Sequence, residues 1–218
     1  QLFYENDFQG PIGGEWSSTD TINYNNTISL GEFENTTTTL NLNSLPQHDS
    51  IRIEFELYII DSWDGNTILN GPDFWDLTID GTNLINTTFS NHPAKDQSYP
   101  SNHPASNPHW TSAQDTNLQE YCFPGFFGSK YNITRSTTHS IATMSADFSA
   151  NNLQGICDES WAIDNIKVSI FGPNNSSNCA TTVTVDITEP SAISITPSVL
   201  SNVNCNGGND GTATANVT

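Results

Sequence analysis

Apolar residues recur at every second position through most of this chain, a period that suits strands and leaves no amphipathic helix of useful length. Thr39-Leu40-Asn41-Leu42, Ile51-Arg52-Ile53-Glu54-Phe55-Glu56-Leu57, Leu77-Thr78-Ile79-Asp80 and Ile166-Lys167-Val168-Ser169-Ile170 each present one apolar and one polar face. Turn formers separate them at Leu45-Pro46, Asp64-Gly65-Asn66, Gly71-Pro72 and Asp80-Gly81. Only 34% of the 218 residues are hydrophobic, yet five Trp, eleven Phe and six Tyr suffice to fill a core between two sheets. The 27 Asn and the Thr run 36–39 suit strand surfaces and turns. These features predict an all-β protein, with a β-sandwich over residues 1–172.

Near residue 172 the texture changes. Residues 173–178 are turn formers and small polar residues, the composition of a linker. Residues 179–218 contain short alternating stretches at 182–187 and 192–196 and read as a partial Ig-like β repeat, too short to build its own core.

Charge and cysteine usage exclude several classes. Acidic residues outnumber basic ones 24 to 5, and a net charge of −19 repels nucleic acid and anionic membranes. No stretch reaches the ~20 apolar residues of a membrane span, so direct membrane insertion is not expected. The four cysteines show no CxxC spacing, and their even number in a Lys-poor chain points to an oxidising, extracellular compartment. A start at Gln1 fits a mature N-terminus left by cleavage of a leader. Cys122 and Cys157 are expected to form a disulfide, since both lie in the sandwich and flank a segment, 136–151, that should hold a strand pair. The pairing of Cys179 and Cys205 stays open.

The segment Asp61-Ser62-Trp63-Asp64-Gly65-Asn66 leaves an apolar strand and sets two carboxylates around a tryptophan. Hairpin closure would return Asp73 to Asp61 and Asp64. With no Lys or Arg close by in sequence, these carboxylates would repel one another unless a cation joined them. Calcium takes oxygen ligands only, and the Asn66 amide with Asp158 and Glu159 could complete the set at the same end of the sandwich. A solvated acidic turn is the bland alternative. A glycosidase reading would make Asp61 and Asp64, or Asp158 and Glu159, an acid and base about 5 to 9.5 Å apart. No nucleophile elbow, HExxH or Gly-rich phosphate loop accompanies them, and the chain is not expected to be an enzyme. In the long irregular stretch 90–121, Tyr99, Trp110 and Tyr121 could offer flat faces to a sugar ring, or pack the loop and core. His92, His103 and His109 each adjoin a Pro, at spacings that match no metal motif.

Two parts of the sequence resemble known families. Thr184-Val185-Asp186-Ile187-Thr188-Glu189-Pro190-Ser191-Ala192, followed by Val203-Asn204-Cys205-Asn206-Gly207-Gly208-Asn209-Asp210-Gly211-Thr212-Ala213, is similar to the SprB-type repeat of Bacteroidetes gliding-motility surface adhesins. The opening Glu5-Asn6-Asp7-Phe8-Gln9-Gly10 with Trp16, and the close Trp161-Ala162-Ile163-Asp164-Asn165-Ile166-Lys167-Val168, resemble the two ends of galactose-binding-like and carbohydrate-binding-module jelly rolls. The second resemblance implies a structural calcium ion bridging the first and last strands, which carries onto Glu5, Asp7 and Asp164. Together they lead us to expect a secreted, cell-surface adhesin segment. In it a calcium-stabilised sandwich binds a polysaccharide or surface glycan and further repeats of the same chain follow. The rival expectation is a purely structural capping or spacer domain with no glycan ligand.

Overall fold

The computed structural model describes residues 1–172, 195–202, 204 and 207–217. Its strands are β1 (Leu2–Asn6), β2 (Thr21–Tyr24), β3 (Thr27–Phe33), β4 (Thr37–Asn43), β5 (Ser50–Asp61), β6 (Phe74–Ile79), β7 (Thr82–Thr88), β8 (Ser129–Thr138), β9 (Thr143–Asn151), β10 (Glu159–Phe171), β11 (Ile195–Ser201) and β12 (Thr212–Val217). The chain divides into two units, Gln1–Asn175 and Ser176–Thr218. In the second, β11 and β12 form an antiparallel pair. Cys179, Cys205, the linker 173–178 and the expected strand 182–187 lie outside the described residues, as does most of 192–196.

The first unit is a sandwich of two antiparallel sheets. One has the order β2-β3-β10-β5-β8 with β1 also paired to β10; the other runs β4-β9-β6-β7. From β3 to β10 the chain changes sheet at every step except the β6–β7 hairpin. This is the wiring of a jelly roll, which keeps each connection at one end of the sandwich or the other. No helix of the described residues is long and apolar enough to cross a membrane.

Alternation along the strands builds the core. Phe55 on β5 and Trp161 on β10 face Trp75 on β6 and Phe148 on β9, with Trp75 and Trp161 edge-on at 6.0 Å and Phe55 and Phe148 edge-on at 5.3 Å. Such edge contacts add to the burial of four large rings. The period breaks once in β10: Trp161 and Ile163 point inward, but so do Ile166 and Val168. A bulge between Asp164 and Lys167 absorbs the extra residue, and Asn165 sits there at φ 50°. At the same place the free edge of β10 passes from β3 to β1. The end of β5 is buried on both sides because Tyr58 and Ile60 join Tyr24, Ala162 and Leu118 in a second cluster, where the long segment before β8 covers the outer face.

Candidate functional site

One end of the sandwich gathers the β5–β6 connection (62–73), the long 89–128 segment and the β9–β10 connection (152–158). Cys122 and Cys157 are joined by a disulfide that ties the last two together. All of the loop carboxylates singled out from the sequence lie here: Asp73 returns to Asp64, whose N–H it accepts, while Asp61, Asp64 and Asp158 each find a separate partner. Among the described residues no three His, Cys, Asp or Glu side chains form a ligand cluster.

Asp61 is buried at φ 65°, and its carboxylate accepts the backbone N–H of Cys122 at 3.2 Å. Burial pushes its pKa up, while backbone donors of 121–123 pull it back. Asp61 therefore anchors the long segment. Asp64 is paired with the ammonium of Lys95, 31 residues further on. No basic residue adjoins these carboxylates in sequence, and the fold supplies one from the long 89–128 segment. Asn66 is fully engaged: its Oδ1 accepts from Thr88 and Ser98 hydroxyls, and its Nδ2 donates to Ala105 O at 2.9 Å. It braces the loop and has no donor oxygen to spare for an ion. Asp158 accepts the Ser62 hydroxyl.

Asp73 and Glu159 behave differently. They lie one layer beyond Trp75 and Trp161 on the same inner faces, both with no exposed surface, carboxyl against carboxyl. Asp73 Oδ2 accepts the N–H of Asp64, and Glu159 Oε2 accepts the N–H of Gln154 at 2.9 Å. The remaining oxygen of each, Oδ1 and Oε1, is buried without a hydrogen-bond partner. Both pKa values are raised, first by burial; Glu159 is raised further by Asp73, and both by Asp64.

Above this layer lies an open cleft of about 190 Å³, lined among others by Asp64, Asn70, Lys95, Phe123, Phe126 and Asp158. Ile68 and Leu69, 90% and 77% exposed, stand on one connection, and Tyr121, Phe123, Phe127 and Ile156 are exposed on the two disulfide-tied ones. Of the three aromatics expected to face a sugar, Tyr121 is exposed, its ring edge-on to Tyr24 at 5.9 Å. Trp110 is half-buried, its Nε1 donating to Asn91 at 3.2 Å. Tyr99 is buried against Phe89 and Tyr131, so its ring is a core element with no open face. His92 lines the cleft, His103 packs on Phe74 and His109 on Trp110. Phe123, Phe126 and the Ile68-Leu69 pair were not singled out; an apolar pair between Asn66 and Asn70-Gly71-Pro72 was the signal available for the latter.

The implied terminal calcium site lies elsewhere. Glu5, Asp7, Asn165 and Lys167 line a cleft of about 440 Å³ where β1 meets β10. Asp164 is buried, its oxygens taken by Thr27 Oγ1 at 3.0 Å and Asn165 N at 2.7 Å. Burial pushes its pKa up to about 6, against the hydrogen bonds from Asn165 and Thr27.

No family model matches the chain, and no curated protein matches it. Parts of three solved structures are distantly similar to its fold. Dimeric latent PorU from Porphyromonas gingivalis is 13% identical over 78% of this chain and 12% of its own, at a TM-score of 0.44. An exo-β-1,3-galactanase from Phanerochaete chrysosporium, solved with β-1,3-galactotriose, is 11% identical over 76% of this chain and 28% of its own, at 0.34. The Agl-KA catalytic domain is 12% identical over 77% and 23%, at 0.32. The chain spans less than a third of the length of each.

Proposed function

We propose that this chain is part of an extracellular adhesin whose sandwich binds a polysaccharide at its loop end, without covalent chemistry. The observation that carries the reading is the combination at that end: Phe123 lines a polar cleft, with exposed Tyr121 and Phe127 on the same disulfide-tied segment and exposed Ile68 and Leu69 on the β5–β6 connection. Flat rings cover the apolar faces of sugars, and the amide and charged groups between them hydrogen-bond hydroxyls. A disulfide belongs to oxidising compartments and lowers the ordering cost of loops that bind. The net charge of −19 disfavours sulfated or uronic chains, so the ligand class is a neutral or amino-bearing glycan. The tail's similarity to adhesin repeats supports display at a cell surface with further repeats following.

Retention on immobilised neutral, cationic and anionic polysaccharides tests this. We expect binding to the first two classes, weakened at least about tenfold by Phe123→Ala or Phe126→Ala while the melting temperature holds. No retention on any class would favour a capping or spacer domain instead.

A further inference from the structure

We propose that Asp73 and Glu159 hold a calcium ion at the loop end of the sandwich, in its last inter-sheet layer. The proposal stands apart from glycan binding and rests on three observations.

The first is the orphaned oxygens. Asp73 and Glu159 are each fully buried, and each leaves one oxygen with no donor, although the other accepts a backbone N–H. A buried carboxylate oxygen without a partner costs on the order of 1 to 3 kcal/mol or more, and two carboxylates in contact cannot both stay charged unless something positive joins them.

The second is the charge count. Asp61, Asp64, Asp73, Asp158 and Glu159 share this end, and of the chain's five basic residues only Lys95 bonds to any of them. The backbone donors of 121–123 serve Asp61, Ser62 serves Asp158 and Lys95 serves Asp64. What is left unanswered is the facing pair. A single shared proton would still leave one negative charge buried there; a divalent cation neutralises both.

The third is a further oxygen. A Cβ on Gly71 would come within 2.5 Å of Thr67 O and 3.2 Å of Asp73 Oδ1. Glycine at this position therefore lets a backbone carbonyl and the Asp73 carboxylate approach the same point of the connection. Calcium suits such a set, because it accepts carboxylate, carbonyl and water oxygens in flexible geometry; magnesium demands a tighter octahedron. Bound there, the ion would clamp the β5–β6 connection to the start of β10, directly beneath the cleft.

The test uses the 218-residue chain, whose five tryptophans all lie in the first unit, so that fluorescence reports the sandwich. Melting is compared in calcium and in chelator, and terbium is added as a luminescent stand-in for calcium, excited through Trp75 and Trp161 one layer away. We expect calcium at about a hundred times its Kd to shift the folding equilibrium about a hundredfold. Sensitised terbium emission should develop and be displaced by calcium. Asp73→Asn and Glu159→Gln should each abolish both responses yet melt in chelator at or above the parent, since each removes one charge of the facing pair. Asp164→Asn should keep both responses. Coincident parent curves in calcium and chelator would overturn the proposal and leave a shared proton as what joins the pair. So would variants that retain the terbium signal.

Discussion

The two ends of the sandwich bury polar groups in opposite ways. At the loop end, acid faces acid: Asp73 and Glu159 leave an oxygen each unpartnered, and a disulfide holds the connections around them. At the other end the β4–β5, β6–β7 and β8–β9 connections meet in one hydrogen-bonded chain. Pro46 O bonds His48 Nδ1, His48 Nε2 lies 2.6 Å from His139 Nδ1, and His139 Nε2 lies 2.8 Å from Asp80 Oδ2. Every ring nitrogen of the stacked pair thus finds a partner among the chain's own groups. The contrast teaches where to look for something from outside: at the end whose donors and acceptors do not add up.

The largest effect that would sharpen this contrast concerns the disulfide. Replacing Cys122 and Cys157 together by Ala should destabilise the sandwich by about 3 to 4 kcal/mol in the chain-entropy model, given their separation of 35 residues. Calorimetry of the double variant measures it. An unchanged unfolding temperature would mean that the loop end is held by packing alone.

A smaller loss is expected at the opposite end. His139→Phe keeps the ring stacked on His48 but leaves the buried His48 nitrogen and Asp80 without their partner. The cost should be about 1 to 3 kcal/mol, read from the urea midpoint at constant slope. A neutral result would show that the histidine chain does not hold that end together, and the contrast between the ends would break.

The smallest effect lies between the ends, at the β10 bulge. Asp164 has its carboxyl raised to about 6 by burial. A carboxyl that holds its proton more tightly when folded stabilises the fold below its unfolded value near 4, and that contribution is lost as pH rises through about 6. Stability of the parent should therefore fall across that window, and Asp164→Asn should flatten the fall. Melting temperatures from pH 3.5 to 7 decide it; an equal slope in both proteins would assign the fall to other groups.

Much of the sandwich was legible in the chain before its folding was considered. Period-two alternation is a local property, because successive side chains of a strand point to opposite faces whatever the partner strand is. It therefore announced β4, β5, β6 and β10, and even the bulge in β10 leaves a trace in the three-residue step from Ile163 to Ile166. Cys122 and Cys157 could be paired from their places on either side of a strand pair, since β8 and β9 return the chain to the end it left. The acidity of the loop end was legible too, as composition. What only the tertiary structure decided is who answers each charge. Lys95 reaches Asp64 from 31 residues away, backbone donors of 121–123 meet Asp61, and Glu159 meets Asp73 from the other sheet. Tyr99 goes into the core while Phe123, in the same long segment, stays 39% exposed. Electrostatic and packing partners depend on distance in space, and a jelly roll brings together residues that its connections keep far apart along the chain.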